Sequence, residues 1–368
     1  MVVKSGVTDD ARVRREATAL VDAGCQVTIV GDRPGPNHAL PDVDIRFCRE
    51  PSGRLSWAKA TRYRRFIRWL FLPTHRRRDD RLFAKAAARL CSEIAADVVH
   101  AHDLVGLVAV TLATKRPPVL VYDAHECWTG RPRIGRPEWF GPWFDGRREQ
   151  RLGQKATVVV TVSEELAIWL RTNRGFRDVR VIRNTADLGR GFPATPIAVH
   201  YGGRIDEERD LLTAAAGAAL VDGIDLVIRG GGDQASIEAL RGLGVDVLPP
   251  ISPDALADEL REAGIGLVTL RGGSINHEVA LPNKLFLAVQ AGVPVVAADL
   301  PAIRRVVTEY GLGELYVPGD ALSFAMAIVR VVDRFDEFCG RVDASREALC
   351  WQNDSRVLAS VYEEFAAP

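Results

Sequence analysis

The segment Gly202-Gly203-Arg204-Ile205-Asp206-Glu207-Glu208-Arg209 follows a short apolar run, Ala198 to Tyr201. Two glycines let a backbone approach a ligand closely. Arg204 and Arg209, near the start of a following helix, are suited to clamp a diphosphate, because guanidinium stays charged and bonds phosphate oxygens in pairs. The same letters also fit a surface loop with solvated arginines. Further on, Asn276 to Leu287 reads NHEVALPNKLFL. Pro282 suits the first position of a helix. The amides of Asn283, Lys284 and Leu285 would then point out of a helix N-terminus, a ready anion site to which Lys284 adds a charge. An ordinary core helix is the alternative. Arg229-Gly230-Gly231-Gly232-Asp233 follows another apolar run. Its glycines suit close approach of a base or ribose, but it is neither G-x-G-x-x-G nor a P-loop with its lysine.

In the first half, His100-Ala101-His102-Asp103 and Asp123-Ala124-His125-Glu126 each follow an apolar run. A histidine at the carboxyl end of a strand can donate to a sugar hydroxyl or move a proton. Neither cluster has H-E-x-x-H spacing, so no metal is expected. Arg54 to Arg81 holds ten Lys and Arg against Asp79 and Asp80, interleaved with aromatic and aliphatic residues. Such a stretch can lie on an anionic membrane surface or hold an anionic acceptor. A helix with one face on the core and a solvated basic face fits equally. Trp128 to Arg151 combines five large aromatics with arginines. Aromatics there suit stacking on sugar faces, or simply packing of a loop.

These groups need strands to place them. Gln26–Val30, Asp97–His100, Val119–Tyr122, Thr157–Val162 and Val179–Ile182 read as buried strands, and Ala11–Ala23 as a helix capped by Asp9 or Asp10 and ended by Gly24. The pattern restarts with Ala198–Tyr201, Leu226–Ile228, Asp246–Leu248, Gly266–Thr269 and Val293–Ala297, and closes on a helix over Ser355–Phe365. Strands alternating with helical stretches predict two α/β domains, each a doubly wound parallel sheet. The length of 368 residues agrees, at about 150 residues per domain. An apolar share of 47% and a charged share of 26% exclude disorder, collagen and a membrane bundle. The net charge of zero hides a division: residues 1–190 carry 34 Lys and Arg against 22 Asp and Glu, and the remainder carries 14 against 26. The six cysteines show no C-x-x-C spacing and read as reduced thiols. Without a signal-peptide h-region or an apolar run of about 20 residues, the expectation is a cytoplasmic protein, with residues 54–81 a candidate for peripheral contact at the inner membrane face.

In this order the pieces resemble the retaining GT-B glycosyltransferases of family four, over nearly the whole chain. TDDARVRREATALVDAGCQVTIVG is similar to that family's first helix and following strand, and YGGRIDEER to the start of its donor domain. LPNKLFLAVQAGVPVVAADLPAIRRVV is the most specific match, resembling the branch with a P-N-K-L-F-E-Y element, and WQNDSRVLASVYEEF resembles the terminal helix that crosses back to the first domain. The resemblance implies an N-terminal acceptor-binding domain over 1–185, a linker over 186–196, a nucleotide-sugar domain over 197–345 and a returning helix over 346–368. It implies transfer of a sugar from a nucleotide-sugar donor to a small-molecule or lipid-linked acceptor, with retention, without metal or cofactor and with no nucleic acid partner. His125, Arg204 and Arg209 take the catalytic roles. Gly6, Gly203, Gly230, Pro250, Ile251, Glu278, Pro282, Asn283, Lys284 and Leu285 take the donor, and His102, Asp103, Glu126 and Trp128 face the acceptor. One position departs: Leu287 stands where the family carries the Glu that holds the ribose hydroxyls. That departure keeps a non-catalytic partner subunit open as an alternative. A nucleotide-sugar epimerase shares the architecture.

Overall fold

The structure is a computed structural model that describes residues 1–7, 10–35, 39–49, 62–131, 140–189 and 195–366. The chain divides into two compact units, Met1–Ile182 with Ser355–Pro368, and Arg183–Asp354. The first unit holds strands β1 (Val27–Gly31), β2 (Val43–Phe47), β3 (Val98–His102), β4 (Val119–Asp123), β5 (Val158–Thr161) and β6 (Val179–Val181). β1 pairs with β2, and β3 to β6 pair in sequence order, all parallel. Val2 bridges β1 through Val30 and β3 through Ala101, joining the two groups into one sheet. The second unit holds β7 (Ala198–Gly202), β8 (Asp225–Arg229), β9 (Val247–Leu248), β10 (Gly264–Val268), β11 (Val295–Ala298) and β12 (Gly313–Tyr316), in the order β12-β11-β10-β7-β8-β9 and again parallel. β5 and β10 are buried at every residue, as expected of parallel strands covered on both faces. Each unit is therefore a doubly wound, Rossmann-like α/β layer.

One strand in each half escapes the sequence pattern. β2 is half exposed, with charged Asp44 and Arg46 alternating outward, and β12 has four residues, GELY. Neither shows the apolar run that marks the others. The unit boundaries also differ from the expected 185 and 346. Asp354 accepts from Thr185 Oγ1 at 2.7 Å and from Arg183 Nε at 3.1 Å, and Ala186 bridges Cys350. These bonds keep residues 183–189 and 346–354 in the second unit, and residues of the terminal helix Trp351–Ala366 join the first unit from Ser355 onward. The linker expectation at 190–194 lies outside the described residues.

Helix Ala11–Asp22 begins where expected, with Asp10 accepting from the Val13 amide at 3.2 Å, and Gly24 follows it at φ +84°. Its buried face is unusual: Arg12 and Glu16 lie on it beside Val13, Ala17 and Leu20. The six cysteines are free thiols. No helix among the described residues is long and apolar enough to cross a membrane. The basic stretch forms part of helix Arg62–Glu93, and its residues 54–61 lie outside the description.

Candidate functional site

In the second unit, the loops after β7 and β8 run side by side. Gly203 N–H donates to the Arg229 carbonyl at 2.8 Å, Ile205 N–H to Gly231 at 3.0 Å, and Asp233 N–H to Ile205 at 2.8 Å. Gly230 has φ +155°, and a Cβ there would lie 1.8 Å from the Gly203 carbonyl oxygen; one on Gly232 would lie 2.0 Å from that of Ile205. These glycines serve backbone-to-backbone approach, where a base or ribose was expected. Gly203, at φ +147°, lies against a side chain: a Cβ would meet Lys284 Cε at 2.6 Å.

Helix Asn283–Ala291 starts one residue later than expected. Pro282 is its extended N-cap, with φ −66° and ψ 136°, because it lacks a side chain that could cap and its ring fixes only φ. The Leu285 amide turns back to the Pro282 carbonyl at 3.0 Å, so the outward anion-binding capacity belongs to Asn283 and Lys284. Lys284 Nζ lies 4.9 Å over the Tyr201 ring. Burial, with the Arg209 guanidinium close by, lowers its pKa from 10.5 to about 8, against the pull of Asp206. Arg209 Nε is enclosed without a hydrogen-bond acceptor, and the Asp206 carboxylate is 3.6 Å from it. Arg204 is 71% exposed and rests on Asp206 at 2.9 Å, an ion pair weak enough to exchange. One carboxylate thus faces Arg204, Arg209 and Lys284 at the opening of a helix.

The remaining donor-side positions fall around this group. Pro250 and Ile251 lie just beyond β9, whose Leu248 carbonyl accepts from the Gly230 amide at 2.9 Å. Glu278 ends the short helix Ile275–Glu278. His277, which no sequence motif marks, lies 3.7 Å from Glu208 and bonds the Arg271 carbonyl at 2.6 Å, tying the loop after β10 to the Arg209 loop. Leu287 is partly buried against the core. Gly6 belongs to the first unit, where a Cβ would come within 3.1 Å of the Arg33 carbonyl.

In the first unit, a cavity of about 460 Å³ opens at the carboxyl ends of β3 and β4. His125, Asp103 and Trp128 line it. Ala124 is pinned by its amide to the Val160 carbonyl at 2.9 Å and by its carbonyl to Thr161 Oγ1 at 2.8 Å, which fixes the turn carrying His125. His125 Nε2 is 3.7 Å from Asp103 and its Nδ1 is 3.7 Å from Asp123. Burial opposes charge on this ring, but Asp103 and Asp123 outweigh it and raise its pKa to about 10. Asp103 has φ +57°, a strained value for a non-glycine residue, and so holds its carboxylate over the cavity at an energetic cost. Arg131 lies 4.3 Å over the Trp128 ring and pairs with Glu126.

His102 and Glu126 depart from expectation. His102 is 1% exposed and does not line the cavity. In a strand, residues two apart share a face, so His100 and His102 stack at 4.5 Å with rings 2° from parallel, under the helix that carries Arg12 and Glu16. Glu126 also stands outside the cavity lining, held by Arg131. The buried cluster itself was not foreseen. Arg12 bonds both oxygens of Asp123, at 2.8 and 3.2 Å, and the Ile182 carbonyl at 3.0 Å. Glu16 lies 3.0 Å from Arg12, and His100 Nδ1 meets the Tyr362 hydroxyl at 2.8 Å. Burial pushes the Glu16 carboxyl up. Burial also opposes charge on Asp123, but Arg12 holds that carboxyl well below its ordinary range. Potential ligand atoms of Glu16, His100, His102 and Asp123 lie within 4.8 Å of one another. Stacked parallel rings aim their nitrogen lone pairs side by side rather than at one point, and Arg12 already supplies the cation. The geometry fits a buried ion network better than a metal centre.

A family model described as Glycosyltransferase Family 4 matches residues 11–190, and one described as Glycosyl transferases group 1 matches residues 197–334. The chain belongs to these glycosyltransferases. Phosphatidyl-myo-inositol mannosyltransferase of Mycobacterium leprae is 32% identical over 188 residues, 48% of this chain and 49% of that protein. The glycosyltransferase thus spans about half the length of the curated relative it matches. Sucrose-phosphate synthase from Thermosynechococcus elongatus superposes with a TM-score of 0.76 at 18% identity, over 99% of this chain and 98% of that one. Anabaena HepE, solved in complex with UDP, gives 0.69 at 15% identity, over 99% and 98%. At these identities the likeness establishes the fold, and the glycosyltransferase has the GT-B fold.

Proposed function

We propose that this glycosyltransferase moves a sugar from a nucleotide diphosphate sugar to an acceptor hydroxyl, with retention at the anomeric carbon and without a metal. The observation that carries the reading is the set Arg204, Arg209 and Lys284 gathered at the start of helix Asn283–Ala291, where burial and the nearby Arg209 disfavour the charged form of Lys284. A diphosphate relieves that crowding. HepE in complex with UDP supports a nucleotide donor on this fold, and the mannosyltransferase name of the Mycobacterium leprae relative supports a sugar as the transferred group.

In the proposed step the bond from the anomeric carbon to the diphosphate oxygen breaks, and the acceptor oxygen bonds that carbon on the same face. The acceptor proton passes to the leaving phosphate oxygen. Charge develops on the diphosphate, where Arg204, Arg209, Lys284 and the helix amides stabilise it; such preorganised groups are commonly the largest catalytic contribution. With its raised pKa, His125 is cationic at neutral pH and so donates hydrogen bonds rather than acting as a base. Asp103 offers the neighbouring acceptor. Leu287 cannot accept from a ribose hydroxyl, which costs on the order of 1–3 kcal/mol of donor recognition. Calorimetry against a panel of nucleoside diphosphates tests the reading. Binding that is abolished in Arg209→Ala is expected; a panel without binding would turn the reading toward a non-catalytic partner subunit.

A further inference from the structure

The buried cluster under helix Ala11–Asp22 holds polar atoms whose contacts depend on where its protons sit. Among the described residues, both oxygens of Glu16, Nε2 of His100 and both ring nitrogens of His102 lack a well-aligned hydrogen-bond partner. All three side chains are at most 1% exposed, and unpaired polar groups at such depth are costly. Arg12 does not hydrogen-bond Glu16. Its Nε donates its one hydrogen to Asp123 Oδ2 at 2.8 Å, although Glu16 Oε1 lies 3.0 Å away. Glu16 Oε2 faces His102 Nε2 at 3.7 Å and His100 Nε2 at 3.8 Å. The other ring nitrogens face different groups. His100 Nδ1 meets the Tyr362 hydroxyl at 2.8 Å, and His102 Nδ1 lies 3.0 Å from Asp123 Oδ2. The same Asp123 oxygen lies 3.7 Å from Nδ1 of His125, which lines the cavity.

Arg12 holds Asp123 as a carboxylate, which only accepts, so His102 carries hydrogen on Nδ1. Its Nε2 and Glu16 Oε2 would then be two acceptors face to face, unless one proton lies between them. Either Glu16 donates that proton to a neutral ring, or a cationic ring donates it to the carboxylate. His100 does not compete for it, because burial and then His102, against the pull of Asp123, hold its ring uncharged. Burial, against the pull of Arg12, raises the Glu16 carboxyl from 4.5 to about 7. We propose that Glu16 and His102 share one proton and, through Asp123, act as a pH-responsive positioning pair for His125. The bearing of this pair on sugar transfer rests on the reading of His125 as a hydrogen-bond donor in the reaction. With the proton in place, His102 Nδ1–H steadies the Asp123 oxygen. That oxygen faces Nδ1 of the His125 ring and leaves its Nε2 toward Asp103. Loss of the proton to solvent puts a negative charge behind Asp123, and His125 then holds its own proton more tightly. The charged and titratable groups facing Glu16 are Arg12 on its own helix, His100 and His102 on β3, Asp123 on β4, His125 on the following turn and Tyr362 on the terminal helix. Asp123 opposes ionisation of Glu16, whereas Arg12, His102 and His125 favour it.

The test records proton–nitrogen correlation spectra of the histidine rings in the full chain as pH is raised, with signals assigned by single histidine-to-glutamine variants. In wild type, His102 should keep hydrogen on Nδ1 throughout, and its Nε2 signal should move through one transition near pH 7. Glu16→Gln should abolish that transition and lower the His125 midpoint by roughly half a pH unit, since a neutral amide replaces the charge. Glu16→Asp, which keeps an ionisable carboxyl, should restore the transition. Tyr362→Phe removes an uncharged hydroxyl from the same cluster and should leave both readings as in wild type. An Nε2–H tautomer of His102, or no transition in wild type, overturns the proposal. So does a transition and a His125 midpoint that Glu16→Gln leaves unchanged, or a midpoint that Tyr362→Phe moves as far. The first two outcomes need no variant, so the test survives a Glu16→Gln chain that fails to fold. A nucleoside diphosphate titration run in parallel separates the two readings. If nucleoside diphosphates bind while the spectra fail, the positioning pair falls alone. If the spectra respond as expected while no nucleoside diphosphate binds, the transferase reading falls and the proton-sharing pair stands.

Discussion

Replacing Lys284 with methionine should make the empty protein more stable and the ligand-bound protein weaker. The ammonium is held at a pKa of about 8 instead of 10.5, by burial and the nearby Arg209. If it were fully enclosed, that difference would correspond to roughly 3 kcal/mol against the charged form at neutral pH. The side chain keeps some contact with solvent, and screening reduces the figure to on the order of 1–2 kcal/mol. Methionine keeps the length and the apolar stem against Tyr201 and removes the charge. The expected result in denaturant titration at pH 7 is a gain of about 1 kcal/mol for Lys284→Met without ligand. The stabilisation that a nucleoside diphosphate gives wild type should largely vanish. The pH dependence has a definite sign. Below about pH 8 Lys284 is charged and holds the diphosphate; above it, affinity should fall toward tenfold per pH unit in wild type and stay flat in the variant. A variant that is less stable when empty, yet is stabilised by ligand as wild type is, would refute the account of Lys284 as a strained phosphate cation.

Other perturbations test the remaining parts. Arg209→Ala should lower turnover by about two to three orders of magnitude while the melting temperature stays within a few degrees, and Arg204→Ala should act in the same direction. His125 has a folded pKa above its unfolded value near 6.5, so its contribution to stability is complete below pH 6.5 and is lost as pH rises through about 10; Asp103→Asn should lower the titration midpoint of the His125 ring, read by NMR, and an unchanged midpoint would remove Asp103 as a cause. Gly230→Ala places a methyl against the Gly203 carbonyl at φ +155° and should cost several kcal/mol in chemical denaturation. Leu287→Glu should tighten a nucleoside diphosphate roughly tenfold if ribose hydroxyls reach that turn of the helix, and equal affinity would place the ribose elsewhere.

The strands that were legible are those buried on both faces, because a continuous apolar run such as Val158–Val160, too short for a helix, suits a strand covered on both sides. β2 was hidden because its exposed alternation carries Asp44 and Arg46, and β12 because four residues of mixed polarity make no pattern. The positions of Arg204, Arg209, Lys284, Asp103, His125 and Trp128 were legible, since each follows a strand or opens a helix. His102 misled for a geometric reason. It ends its strand like a site residue, but alternation puts it on the same face as His100, which a helix covers. The signal that could have found the buried cluster was on that helix. Arg12 and Glu16 are one turn apart on the face whose other members are Val13, Ala17 and Leu20. Charges on an apolar stripe are expensive unless partners lie across the interface, so the sequence already required an opposing set. Naming Asp123 and the two histidines as that set needed the fold.

The opposite charges of the two halves acquire meaning only through pairing. The second half of the sequence is acidic overall, yet the diphosphate site proposed there has, among the described residues, one carboxylate, Asp206, facing Arg204 and Arg209, with Lys284 close by. In the first half some cations are paired locally, Lys4 with Asp79 and Asp80 and Arg174 with Glu149. Net charge therefore ranks the halves in the wrong order for a diphosphate, whereas the local grouping of Arg204, Arg209 and Lys284 around Asp206 is what supports the proposed site. Salt separates the two descriptions. Affinity that came from the field of a whole unit would fall away once the screening length shortens to about 8 Å at physiological ionic strength. Affinity from contact pairs in partly enclosed sites should persist, so nucleoside diphosphate binding that is abolished by moderate salt would contradict the local account.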